Sequence, residues 1–95
     1  MTSLFYGGWI VRASDGTFVA ELPDFPEITA VGVNQKQAAA LASIRLSAHV
    51  IMLRQQGAAL PEATGAAELL DGCIKRHAVA QFIEVLEPRP RNVRG

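Results

Sequence analysis

A single long helix is the feature that most constrains the fold of this chain. Residues 34–56 contain neither proline nor glycine, and Gly57 follows them directly. Asn34 is a favourable N-cap, and the Gln37 side chain can accept a hydrogen bond from the amide of that cap residue. Glycine is the residue most often found just after a helix. The stretch therefore predicts one helix of about six turns.

The apolar residues of this helix form two stripes on nearly opposite sides. One stripe contains Leu41, Ile44, Ala48 and Ile51, and the other contains Ala39, Ala42, Leu46, Val50 and Leu53. A surface helix of a small domain needs only one apolar stripe, so the second stripe needs a cover. We expect either that the segment after Gly57 folds back over it or that it forms an interface. Leu46, Val50 and Leu53 accordingly pack in the core or join subunits.

Three predicted strands precede this helix. Residues 4–12 are rich in aromatic and β-branched side chains, and Gly7 and Gly8 interrupt them, which is typical of a bulge or a close backbone approach. Residues 17–22 alternate between apolar and polar, and Asp15 and Gly16 form the turn of a predicted hairpin. Residues 28–33 form a short third strand that leads into the helix.

A short helix and a fourth strand are predicted after Gly57. Thr64 can cap a helix that extends to Ile74, and residues 78–87 alternate before Pro88 stops them. Their Val, Ile and Phe side chains predict a half-buried strand. The predicted fold is α+β, with the element order β-β-β-α-(short α)-β. Residues 1–88 form a single domain, and residues 89–95 form a basic, disordered tail.

The composition excludes several classes of protein. The chain has 95 residues, one cysteine and equal numbers of basic and acidic residues, nine of each. An internal disulfide therefore cannot form, and the neutral balance argues against direct nucleic-acid binding, which needs an excess of Lys and Arg. No stretch has the length of a membrane span or the shape of a secretory signal. We expect a cytoplasmic protein.

The sequence offers no catalytic or metal site. His49 and His77 lie 28 positions apart, and no metal-ligand spacing surrounds Cys73. No glycine-rich phosphate loop is present. We therefore expect no catalytic residue, metal or cofactor, and predict that the chain is not an enzyme.

Landmarks along most of the chain resemble the HicB-like antitoxin family. The resemblance covers residues 6–63 and rests on the order and spacing of Asp15, Gly16, Pro23, Asp24, Pro26, Gly32, Asn34, Gly57 and Pro61. Two positions depart from the family pattern, because Glu27 and Ile28 replace a usual Gly-Cys pair. The helix entry carries Asn and Gln where the family has Thr and acidic residues.

The resemblance implies a fold and a partner. The implied fold is a partial RNase H-like one, with a three-stranded meander, a long crossing helix and a fourth strand. The implied partner is a small HicA-like toxin that cleaves RNA. Many family members carry a C-terminal DNA-binding domain, whereas this chain has too few residues after the last strand for one. We expect only the toxin-binding module.

Charge suggests where such a partner binds. Residues 1–33 carry one basic residue, Arg12, against four acidic ones, and an acidic front end attracts a basic partner. The predicted partner-binding residues are Asp15, Pro23, Asp24, Phe25, Pro26 and Glu27. We also expect the chain to form a homo-oligomer, either a dimer or a tetramer. An alternative is an orphan domain that self-associates and has no toxin partner.

Overall fold

The computed structural model describes residues 4–86, along which six elements follow one another. They are β1 (Leu4–Arg12), β2 (Phe18–Glu21), β3 (Thr29–Gly32), α1 (Gln35–Gln55), α2 (Ala66–Arg76) and β4 (Val79–Val85). The predicted α+β class and element order are confirmed. The predicted basic tail lies outside the described residues, and the relation to the RNase H-like fold stays a prediction.

The four strands form one antiparallel sheet in the order β3-β2-β1-β4. The predicted hairpin joins β1 to β2, and Gly16 in its turn has a φ of +89°, a conformation that only glycine adopts at little cost. β4 returns to pair with β1 and lies at an edge of the sheet. Phe82 of β4 is exposed and retains 62% of its accessible surface.

Helix α1 covers one face of this sheet. The buried residues of this core come from the sheet, the β2–β3 connection and the helix: Tyr6, Ile10, Ala20, Leu22, Phe25, Ile28, Ala30, Ala38, Ala42, Leu46, Val50, Ile83 and Val85. Leu53 is partly buried beside them. Ile44 of the other stripe is 58% exposed. Helix α2, which follows Gly57, packs against β1 and β4 and makes no contact with α1. The prediction that the segment after Gly57 covers the Ile44 stripe is therefore wrong for α2.

Both ends of α1 are capped largely as its sequence predicts. The Asn34 Oδ1 atom accepts a hydrogen bond from the Gln37 amide at 2.7 Å. The Gln37 Oε1 atom accepts from the amide of Val33 rather than that of Asn34, at 2.7 Å. At the other end, Gly57 has a φ of +72°, and the Ala58 amide donates to the Leu53 carbonyl oxygen. These are the contacts of a glycine-terminated helix.

Helix α2 packs on the opposite face of the sheet. Alternate residues of a strand point to opposite faces, and Trp9 of β1 packs with Leu69 and Cys73 of α2. A Cβ atom on Gly7 would lie 2.6 Å from the Leu69 side chain, so this glycine allows the helix to approach the strand. The N-cap is Gly65 and makes no side-chain capping bond. The prediction that Thr64 caps this helix is therefore wrong.

Two serines of α1 reach over the end of β4. The Ser43 hydroxyl donates to the Glu84 carbonyl oxygen, and the Ser47 Oγ atom accepts from the Leu86 amide at 2.7 Å. The Ser47 hydroxyl donates in turn to the Ser43 carbonyl oxygen. Among residues 4–86 no second strand pairs with this side of β4, and these bonds satisfy backbone groups at its end.

Candidate partner-binding site

The connection between β2 and β3, residues 22–28, forms a tightly folded corner. The Phe25 amide donates to the Leu22 carbonyl oxygen at 3.1 Å, and the Ile28 amide donates to the Phe25 carbonyl oxygen at 2.9 Å. Two successive turns therefore shape the corner. Pro26 and Glu27 are exposed, whereas Phe25 is 2% exposed.

Phe25 anchors this corner from below. Its ring meets the Tyr6 ring edge to face with centroids 4.7 Å apart, and the His49 ring at 5.6 Å. The His49 Nε2 atom lies 3.0 Å from the Glu27 Oε2 atom, which ties the corner to α1. Phe25 was predicted as a partner-binding residue, and the structure places its side chain in the core.

Asp24 joins the corner to the segment between the two helices. Its Oδ2 atom accepts from the Thr64 amide at 2.9 Å, and its Oδ1 atom accepts from the Thr64 hydroxyl at 2.7 Å. The Tyr6 hydroxyl donates to the Pro61 carbonyl oxygen of the same segment at 2.7 Å. Burial and, to a lesser extent, the nearby Asp24 charge raise the pKa of Tyr6. Both Asp24 oxygens are thus engaged within the chain.

Replacing Asp24 with alanine is expected to lower the free energy of unfolding by about 1–3 kcal/mol, because two hydrogen bonds to a charged acceptor are lost. Thr64→Val, which removes only the hydroxyl donor, is expected to cost about half as much. Denaturant unfolding of both variants tests this. Equal stability of Asp24→Ala and the parent chain would contradict it.

The pKa of Tyr6 provides a second measurement on the Asp24→Ala variant. Tyr6 is the only tyrosine in the chain, and loss of the Asp24 charge is expected to lower its pKa in an absorbance titration. In the parent chain the phenol keeps its proton to higher pH when folded than when unfolded. Stability is therefore expected to fall as pH rises above about 10, the unfolded value.

Asp15 lies away from the corner. It belongs to the β1–β2 turn, and β2 separates that turn from residues 22–28, a distance of about 13 Å for four strand residues. Its Oδ1 atom accepts from the Thr17 hydroxyl and the Thr17 amide, and these bonds lower the pKa of its carboxyl group. The structure therefore brings together residues 23–27 of the predicted site and leaves Asp15 apart.

The predicted helix stripe of Leu46, Val50 and Leu53 is not part of the corner. Leu46 and Val50 are fully buried beneath the sheet, and Leu53 is partly buried. In this structure they form the core side of α1.

A cavity of about 340 Å³ opens beside the corner on the α2 side of the sheet. Its lining is Trp9, Glu21, Leu22, Pro23, Pro26, Thr29 and Arg76. The Trp9 indole Nε1 donates to the Glu21 Oε1 atom at 3.1 Å, and the Arg76 guanidinium carbon lies 4.2 Å from the Trp9 ring centroid. The cavity thus presents an acidic group and a basic group around an aromatic floor.

Sequence reasoning missed this cavity. Glu21 faces Trp9 only through the β1–β2 register, and Arg76 arrives from a helix more than fifty residues later. The alternation of residues 17–22 contained part of the signal, because it placed Glu21 on the side away from Phe18 and Ala20. The position of α2 could not be read from its sequence.

The described residues offer little for metal or redox chemistry. Among residues 4–86, no group of three or more His, Cys, Asp or Glu side chains is arranged to hold a metal ion. Cys73 is a buried free thiol in the cluster with Trp9 and Leu69. Over the same residues, neither helix has the length and hydropathy that a membrane span requires.

Comparison with solved structures identifies the fold. The N-terminal domain of the Burkholderia pseudomallei antitoxin HicB superposes with a TM-score of 0.74 at 16% identity, over 84% of this chain and 95% of that domain. The HicB antitoxin of the same organism gives a TM-score of 0.73 at 18% identity, over 98% of this chain and 73% of the antitoxin. The chain has the HicB fold.

A third solved structure extends the comparison. A chain of the HicA3 and HicB3 toxin-antitoxin complex matches with a TM-score of 0.63 at 18% identity, over 83% of this chain and 94% of that chain. No protein-family model matches the sequence, and the search of curated proteins found no match.

Proposed function

We propose that this chain, which has the fold of the HicB antitoxin domain, is an antitoxin-like module that neutralises a small HicA-like, RNA-cleaving toxin by direct binding. The fold match carries the proposal, since it spans 95% of a HicB N-terminal domain and extends to a chain of a toxin-antitoxin complex. In this proposal the chain supplies a binding surface and no catalytic group. A toxin of this kind acts on cellular RNA, so we place both proteins in the cytoplasm.

The corner has the properties of a preorganised contact surface. Pro26 and Glu27 are exposed at its tip, while Phe25 is fixed in the core and Asp24 is bonded to Thr64. A surface that is already ordered loses less conformational entropy when it binds. Phe25 and Asp24 therefore support the corner, and Pro26 and Glu27 are available to contact the partner.

Charge favours a basic partner at this surface. A protein that cuts RNA has to bind a polyanion, so its active surface is expected to be rich in Lys and Arg. Glu27 is exposed on the corner. Complementary charge of this kind speeds association and fixes orientation. A toxin held there has its RNA-binding surface covered.

Co-expression with the product of the neighbouring open reading frame tests the proposal. We expect that product to be a small basic protein that arrests growth alone, and that this chain restores growth and co-purifies with it. If the product neither binds this chain nor arrests growth, the antitoxin proposal is overturned.

A charge reversal locates the binding surface. Glu27→Lys is expected to slow association with the toxin about tenfold at low salt, because it replaces attraction with repulsion on the corner. Glu68→Lys makes the same charge change at an exposed position of α2 and is expected to change the rate less than twofold. Stopped-flow measurements at two salt concentrations distinguish them. Equal rates for both variants would contradict a binding site at the corner.

A further inference from the structure

The cavity beside the corner contains two opposite charges that are not paired with each other. Glu21 and Arg76 both line it. Each contacts the Trp9 indole, Glu21 at the Nε1 atom and Arg76 over the face of the ring. Along the part of the chain that the structure describes, no ion pair joins Arg76 to a carboxylate. The edge and the face of one buried ring therefore keep the two charges apart.

Both charged groups keep hydrogen-bonding capacity that the fold does not use. The Glu21 Oε1 atom accepts from Trp9, and within residues 4–86 the Oε2 atom has no hydrogen-bond partner. The Arg76 Nη1 atom donates to the Gly72 carbonyl oxygen at 3.4 Å, which is a long bond for a group with five N–H donors. One acceptor and several donors are thus open to a ligand in the cavity.

The positions of these groups are fixed before a ligand binds. Trp9 is 8% exposed and packs with Leu69 and Cys73 of α2. Arg76 is held by the Gly72 carbonyl oxygen of its own helix and by the Trp9 ring, whose centroid lies 4.2 Å from the guanidinium carbon. A preorganised site loses less conformational entropy when it binds. The cavity therefore has the rigidity that a small-molecule site requires.

The balance of charge determines the class of ligand. A purely cationic ligand would pair with Glu21 but would also face the Arg76 guanidinium, and a purely anionic ligand would meet the opposite conflict. A zwitterion satisfies both groups at once. The cavity volume of about 340 Å³ is at the lower end of the range for small-molecule sites, roughly 300–1,000 Å³. Pro23 and Pro26 add an apolar wall.

We propose that this cavity binds a free α-amino acid with an apolar side chain. The ammonium group of the ligand donates to the Glu21 carboxylate, and the ligand carboxylate accepts from the Arg76 guanidinium, both as charge-assisted hydrogen bonds. The apolar side chain lies against the rings of Pro23 and Pro26. The site is complete within one chain, so the proposal does not depend on the toxin.

Trp9 reports binding directly, because it is the only tryptophan of the chain. L-leucine or L-valine added to the full chain is expected to change the Trp9 fluorescence and to bind with a dissociation constant below about 1 mM. L-leucinamide lacks the carboxylate and 4-methylpentanoate lacks the ammonium group, so each is expected to bind at least about tenfold more weakly than leucine. Isothermal titration calorimetry checks all four constants.

Substitutions in the cavity locate the site. Glu21→Gln keeps an acceptor for Trp9 but removes the charge, and Arg76→Gln removes the guanidinium. Each is expected to raise the dissociation constant for leucine about tenfold. Glu84→Gln and Lys75→Gln make the same charge changes at exposed positions outside the cavity and are expected to leave the constant unchanged. Circular dichroism checks that each variant is folded.

Three results would overturn the proposal. One is that neither leucine nor valine binds at about 10 mM. Another is that leucinamide or 4-methylpentanoate binds as tightly as leucine, which would exclude a zwitterion site. The third is that leucine binding survives both cavity variants or is lost equally in their controls, which would place the site elsewhere. The comparison of ligands uses the parent chain alone, so it decides the ligand class even where a variant does not fold.

Discussion

Leu46→Glu is expected to leave the chain unfolded at room temperature. Leu46 is fully buried between α1 and the sheet, and a carboxylate there has neither water nor a partner. Burying an unpaired charge costs several kcal/mol, and the lost packing of a leucine adds about 2–5 kcal/mol. A domain of this size has a total stability of about 5–15 kcal/mol. Far-ultraviolet circular dichroism and urea unfolding measure the effect.

Ile44→Glu is the matched control, because it makes a similar change two residues away on the same helix. Ile44 is 58% exposed, so the charge stays in water, and the free energy of unfolding is expected to change by less than about 0.5 kcal/mol. If both variants unfold, a contact that stabilises the fold covers the outer stripe. If both fold, the assignment of the core stripe is wrong.

The sequence predicted the local features of this fold well because each depends on neighbouring residues. Asn34 caps α1, Gly57 ends it, and Gly16 forms the hairpin turn. The alternation of β2 also placed Phe18 and Ala20 on the core face. Each of these predictions needed a window of fewer than about ten residues, over which periodicity and turn chemistry dominate.

The errors concern partners that are distant in sequence. Thr64 is a good cap by composition, yet its hydroxyl and amide bind Asp24, forty positions earlier. The two apolar stripes of α1 could not be ranked either, because local spacing is similar in both. Only the position of the sheet decides which one is buried.

In the candidate site, too, the local features were predicted and the contacts between distant residues were not. Its prolines and acidic residues could be read as an exposed corner, whereas the anchoring of Phe25 between Tyr6 and His49 could not. Arg76 enters the cavity from α2, whose side of the sheet the sequence left undetermined. Sequence therefore located the corner but did not separate its supporting residues from its exposed ones.

Gly72→Ala is expected to destabilise the chain, although the same change stabilises most helices. Alanine favours a helix interior over glycine by about 1 kcal/mol. At Gly72, however, a Cβ atom would lie 2.5 Å from the Trp9 Cζ3 atom and 3.0 Å from its Cη2 atom. Overpacking of this kind costs about 1–3 kcal/mol and can exceed the gain in helix propensity. Urea unfolding is expected to show a net loss.

Trp9→Leu tests whether the cost of Gly72→Ala comes from contact with the Trp9 ring or from a change within α2 itself. Trp9→Leu removes the ring that the new methyl group meets, so Gly72→Ala is expected to cost less in that background than in the parent chain. The coupling between the two changes is expected to exceed about 0.5 kcal/mol. Asp71→Ala, at an exposed neighbouring position, is expected to show no such coupling. If Gly72→Ala is equally costly in both backgrounds, the close approach of α2 to Trp9 does not explain the glycine.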